Sequence, residues 1–264
     1  MPKALAIDSH PRPALSEMAA WLGRLQRKIK IKSRKYRRPR VISIAGVKLE
    51  IDRKRLVPEV VRALYRERYE DREAALVSEK ITPGDRVLEI GAGIGFVTLL
   101  CAQRCGEDQV LAYEANPQNE ALIRRNFVLN RLSPRLRIRG VAVKHGEHVL
   151  FVEPNHLSTG FINRGNGARR YIKCDAIGDV VREFQPNCLV MDVEGAEIEL
   201  LPATPLQDIS KIILETHSRI VGEPAIRDLH NHLTAQGFDR SEAFSHGKVW
   251  FYERAQRAKP AAST

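Results

Sequence analysis

Three glycines at alternate positions, Gly91, Gly93 and Gly95, stand between an apolar run (Val87, Leu88, Ile90) and a helical pattern that opens at Phe96 and continues through Leu99 and Leu100. A buried strand that breaks into a glycine turn and then a helix permits positive φ angles and brings backbone close to a ligand. The spacing excludes the dinucleotide fingerprint G-x-G-x-x-G, because Phe96 occupies the place of its third glycine. The chain reads E-x-G-x-G-x-G instead, with Glu89 just before the turn. After the helix, residues 110–113 read as the next parallel strand, and Glu114 closes it. A carboxylate at that strand end can accept both hydroxyls of a ribose.

This pattern resembles motif I of the class I S-adenosylmethionine-dependent methyltransferases. The rest of the chain alternates accordingly. Strands are expected at 86–90, 109–113, 136–142, 188–191 and 211–215, and helices at 96–104, 117–130, 175–184 and 224–236. Such alternation specifies an α/β fold with a mostly parallel sheet and helices on both faces; the methyltransferase resemblance implies that the sheet is Rossmann-like and seven-stranded. Residues 238–244 and 248–252, around Ser245-His246-Gly247, close it as an antiparallel hairpin. Four regions are expected: a basic extension over 1–40, a hairpin and helical lead-in over 41–84, a catalytic domain over 85–254 and a disordered tail over 255–264. Segment 146–173 reads as irregular apart from a strand at 148–152, and Asn155, His156, Ser158 and Thr159 mark it as an acceptor-binding lid.

Charge is divided unevenly. Residues 1–40 hold 12 Lys or Arg against Asp8 and Glu17, and the remaining residues hold 31 basic against 30 acidic, so nearly all of the net +11 lies in the extension. Within it Leu15, Met18, Leu22, Leu25 and Ile29 recur at helical spacing. A basic amphipathic helix of this kind can meet an anionic partner, pack on the core or join a second subunit of a homo-oligomer. The four cysteines lack C-x-x-C spacing, and no apolar run reaches the length of a membrane span. A cytoplasmic location is expected.

In an open α/β sheet, ligands lie outside the carboxyl ends of the strands. Two such ends carry chemistry: Met191-Asp192-Val193-Glu194-Gly195-Ala196-Glu197 and Leu214-Glu215-Thr216-His217. Asp192, Glu194 and His217 are the candidate catalytic residues, able to orient an acceptor and take its proton. Alternatives stand beside each role. Asp192 could cap the following helix, His217 could be a satisfied loop histidine, and Glu197 and Glu199 read as helix-surface charges. A divalent cation on the same groups is the lesser reading, and no metal ligand is assigned. The loop after residue 191 lacks the Asn-Pro-Pro-Tyr type sequence of amino-methylating nucleobase enzymes.

Tyr69-Glu70, the 87–95 segment, the strand ending at Glu114, and 191–197 together resemble the FkbM family of methyltransferases, as does 213–217; the resemblance spans about residues 41–252. It implies S-adenosylmethionine as cofactor, held by Tyr69, Glu70, Glu89, Gly91, Gly93, Gly95, Glu114 and Asp192. It also implies O-methylation of a hydroxyl on a sugar, glycan or polyketide-type metabolite. The alternatives are an RNA- or ribosome-directed methyltransferase docked by the basic N-terminus, and a non-catalytic cofactor-binding assembly protein.

Overall fold

The computed structural model describes residues 15–144, 146, 148–153, 161–162 and 168–254. Residues 1–14, the lid residues Asn155, His156, Ser158 and Thr159, and the tail over 255–264 lie outside them. The chain divides into two compact units between Pro39 and Arg40. The first contains helix α1 (Leu15–Arg37), which runs on through the basic cluster at its end. Met18, Trp21, Leu22, Leu25 and Ile29 along it are exposed.

The second unit opens with a hairpin, β1 (Val41–Ile44) and β2 (Val47–Glu50), turned at Ala45 and Gly46. Helices α2 (Pro58–Arg66) and α3 (Asp71–Lys80) follow. The alternating core then runs β3 (Val87–Ile90), α4 (Phe96–Cys105), β4 (Val110–Tyr113), α5 (Glu120–Asn130) and β5 (Arg135–Arg137). A side sheet is built from β6 (Gly140–Ala142), β7 (His148–Glu153), β8 (Phe161–Ile162) and β9 (Ala168–Ala176). The chain returns through α6 (Ile177–Phe184), β10 (Cys188–Met191), α7 (Glu197–Ala203) and β11 (Lys211–Glu215). It ends with α8 (Ser218–Val221), α9 (Glu223–Ala235), β12 (Phe238–His246) and β13 (Val249–Arg254).

The main sheet has seven strands in the order β12-β13-β11-β10-β3-β4-β5, with β13 antiparallel to both neighbours. Every residue of β3, β4 and β10 is buried, as strands covered on both faces must be. One face packs the β1–β2 hairpin and α2 to α5; the other packs α6, α7 and α9. The lead-in over 41–84 therefore shares the core of the sheet. No helix among the described residues is long and apolar enough to cross a membrane.

Two expectations need correction. The strand expected over 136–142 is two strands: β5 belongs to the main sheet, whereas β6 pairs with β9 in the side sheet. In segment 146–173 the strand expected at 148–152 is β7, but the rest is less irregular than expected: β8 and the start of β9 pair with β7, and Val149 lies opposite Ile172. Short strands with charged and aromatic residues interleaved carry weak periodicity, so their pairing was hidden until distant partners were in place.

Candidate active site

Strand register builds the site. Ile90 lies level with Tyr113 on one side and Met191 on the other, and Met191 lies level with Leu214. The next residues, Gly91, Glu114, Asp192 and Glu215, therefore form a row across the carboxyl edge of the sheet. Strand order reverses direction between β3 and β10, the place where open α/β sheets hold ligands.

The glycine turn occupies the first half of this edge. Gly91 has φ +98°, and a Cβ there would run into the backbone carbonyl of Asp192, so the turn and the β10 loop touch backbone to backbone. At Gly93 a Cβ would come within 3.0 Å of the Tyr69 hydroxyl and 3.3 Å of Glu70 Oε1. Tyr69 and Glu70 thus stand over the turn. Gly95 abuts Ile123 and Phe127 of α5. Glu114 is buried; its carboxylate accepts from the Gly93 amide at 2.8 Å and the Asn116 amide at 2.7 Å. Burial pushes its carboxyl up to about 7, with the hydrogen bonds opposing.

Glu89 lies beneath the turn, 2% exposed, where the Thr98 hydroxyl donates to it at 2.5 Å. Burial, opposed by that hydroxyl and aided by Glu114, raises its carboxyl from 4.5 to about 8. Between those values the folded protein keeps a proton that the unfolded chain has lost. The stability this contributes is complete below about pH 4.5 and disappears as pH rises through 8. Melting should accordingly occur at higher temperature at pH 6 than at pH 8. Glu89→Gln should shrink that difference by about 2–4 °C, the shift for ~1 kcal/mol in a chain of this size. An undiminished difference in the variant would show that Glu89 does not set it.

The second half of the edge is a carboxylate–imidazole cluster. His217 Nε2 lies 3.5 Å from Asp192 Oδ1, 3.4 Å from Glu194 Oε2 and 3.9 Å from Glu215 Oε1. The structure brings all three candidate catalytic residues together. Asp192 Oδ1 is buried without a hydrogen-bond partner among the described residues. Burial, then Glu215, Glu194, Glu70 and Glu73, raise the Asp192 carboxyl well above its ordinary range. Glu194 adopts φ +49°, and a side chain at Gly195 would press on Ile220 and Val221. A left-handed glutamate costs about 1–3 kcal/mol and persists where packing over-determines it. One ligand atom each from Asp192, Glu194 and His217 lies within 4.8 Å of the others, close enough to hold a cation.

Two residues, Glu197 and Glu73, acquire roles that their sequence context hid. Glu197, expected on a helix surface, is wholly buried, and its carboxylate meets His217. Helix α7 is only seven residues long, so its first residue still points into the preceding loop. The spacing D-x-E-G-x-E was the available signal. Glu73, 6% exposed on α3, is raised to about 7 by burial and then by Glu215. Asp192 does not cap α7: Ala196 holds the cap position, with no side-chain cap bond. Glu199 is exposed, as expected.

The TRM5/TYW2 methyltransferase domain is the family model that matches, over residues 44–156. That range holds the glycine turn and Glu114, and stops before Asp192, Glu194 and His217. A protein-lysine N-methyltransferase, EFM3 of Chaetomium thermophilum, is 28% identical over 84 residues, 32% of this chain and 25% of that protein. The chain thus matches a quarter of that relative's length. Among solved structures, P. horikoshii TYW2 in complex with MeSAdo is similar at TM-score 0.41 and 15% identity, covering 80% of this chain and 68% of that one. The M. jannaschii tRNA m1G37 methyltransferase is similar at 0.44 and 13%, covering 82% and 55%.

The fold is the Rossmann-like fold of the class I methyltransferases. Fold and family match agree on a methyltransferase. The resemblance to the FkbM family is overturned by the TRM5/TYW2 match. Glu-x-Gly-x-Gly-x-Gly and a strand-end acid serve many methyltransferases, so those residues carried the fold without carrying the family. The O-methylation and hydroxyl acceptor that rested on the resemblance lose their support.

Proposed function

We propose that this chain transfers the methyl group of S-adenosylmethionine to a nitrogen of an RNA base, with tRNA as the first substrate to test. The observation that carries the acceptor class is the match of residues 44–156 to the TRM5/TYW2 methyltransferase domain. The basic extension supports it, since phosphate contacts from Lys and Arg supply most of the affinity for RNA without needing a basic catalytic face.

The residues fit the cofactor. Its bound form supplies a methyl group on a cationic sulfur, and the cradle is a set of desolvated carboxyls that a cation would stabilise in their ionised form. Glu114 holds the Gly93 amide in place and offers its carboxylate to a ribose. Gly91 lets the turn meet the Asp192 backbone, and Gly93 lies against Tyr69 and Glu70, which would hold the cofactor beside the turn. A carboxylate of the Asp192–Glu194 pair accepts the proton that an N–H acceptor must shed.

The test has two arms. In calorimetry, Glu114→Ala should weaken S-adenosylmethionine binding by about 1.5–3 kcal/mol, the value of hydrogen bonds to a charged group. In the second arm the full chain is given the methyl-labelled cofactor with tRNA, protein and glycan acceptors. Label should enter RNA bases, and binding should weaken steeply with salt. Lys28→Ala, Lys32→Ala and Lys35→Ala together should lower the slope of log affinity against log salt by about 2–3. Label confined to protein lysines or to glycan hydroxyls would overturn the RNA assignment.

A further inference from the structure

Glu197 belongs to no part of the site read from sequence, yet it is the most completely buried carboxylate near the sheet edge, with no measurable exposure. A buried carboxylate persists only where donors satisfy it. Its Oε1 accepts from the His217 backbone amide at 2.8 Å and lies 3.3 Å from His217 Nδ1, and its Oε2 accepts from the Gly195 amide at 2.7 Å. One side chain therefore ties the loop after β10 to the loop after β11 and holds the imidazole by its Nδ1 edge. The opposite ring atom, Nε2, is left facing Asp192 and Glu194.

We propose that Glu197 is a positioning residue: it fixes His217 with Nδ1–H toward itself and Nε2 toward the Asp192–Glu194 pair, so that imidazole serves the site as an oriented cation rather than as the general base. The role in methyl transfer rests on the proposed function; the geometry does not. An ionised carboxylate at Nδ1 requires a proton on that nitrogen. Two carboxylates beside Nε2 then favour a proton there as well.

The surrounding charges agree. Burial opposes a charged His217, but Glu197, Glu194 and Glu215 outweigh it and raise the imidazole above 6.5. Burial likewise opposes an ionised Glu197, but the bonds with His217 hold its carboxyl below the usual range. The groups facing His217 are Glu197 on α7, Asp192 and Glu194 on the β10–α7 loop, and Glu215 on its own strand. Behind them Glu215 helps raise the Glu73 carboxyl, and Glu70 helps raise that of Asp192. All of these are acidic. An imidazolium here offsets part of their repulsion and leaves proton acceptance to a carboxylate.

The experiment is nitrogen-15 NMR of the histidine-labelled full chain, with His217→Asn identifying the His217 resonances. The native protein should show both ring nitrogens protonated at pH 7. The last proton to remain on the neutral ring at high pH should sit on Nδ1. Glu197→Gln should move the His217 titration down by at least one pH unit, and Glu197→Asp should restore part of that shift. Turnover in Glu197→Gln should then lose activity at a lower pH than the native enzyme does. A neutral ring protonated on Nε2 in the native protein would overturn the proposal without any variant. So would an unmoved His217 titration in a folded Glu197→Gln protein. Failure of methyl transfer to RNA would leave these spectra unchanged, which separates the two readings.

Discussion

Asp192→Asn and Glu194→Gln are each expected to cut turnover by about 10²–10⁴-fold, the contribution of a positioned general base, while the fold and most of the cofactor affinity remain. Both side chains sit at the end of β10, level with the glycine turn and with Glu215, and both face His217 Nε2. The amide replacements keep size and shape and remove only the capacity to take a proton. Neither residue caps α7, so loss of helix stability cannot account for a loss of rate. His217→Asn should cost less than either, because it removes the cation and not the proton acceptor. Single-turnover rates measured at saturating cofactor distinguish these outcomes. Native-like rates in both carboxylate variants would place the chemistry elsewhere on the edge. Dialysis against a chelator adds a separate control: activity that vanished and returned with Mg²⁺ or Mn²⁺ would put a metal ion, not an imidazolium, beside Asp192 and Glu194 and would overturn the charge assigned to His217.

Gly91→Val should be the most damaging single change in the cofactor half. Two costs coincide at this position. The backbone has φ +98°, and any Cβ meets the Asp192 carbonyl, which is backbone and cannot rotate away. Strained dihedral and forced separation of β3 from β10 together amount to roughly 2–6 kcal/mol. Gly106 supplies the control, since it has φ +97° with nothing within 4 Å of a Cβ. Gly106→Ala should therefore show the dihedral cost alone, about 1–3 kcal/mol. Denaturant melts of Gly91→Ala, Gly91→Val and Gly106→Ala separate the terms. Equal losses at Gly91 and Gly106 would show that the contact with Asp192 has no consequence. Cofactor binding should disappear in Gly91→Val even at temperatures where the variant is folded, because the turn and the loop after β10 would no longer meet at one edge.

The amino-acid sequence by itself determined the strand–turn–helix at 87–100, the alternation that makes the sheet parallel, and the terminal hairpin. Each is a local matter: apolar runs of strand length, glycines where a side chain cannot fit, and turn residues between them. It also marked Asp192, Glu194 and His217 as a group, because topology places strand ends side by side once the sheet is accepted. Only the tertiary structure decided the rest. Whether Glu197 lies on a surface or in a core depends on what covers a seven-residue helix, and His217, which covers it, comes from the loop after another strand. The identity of Glu73 as a partner of Glu215 joins residues more than a hundred positions apart. The splitting of 135–142 between two sheets depended on β9, some thirty residues downstream, being in place to pair with β6. Burial and long-range pairing are properties of the assembled chain, and no local pattern carries them.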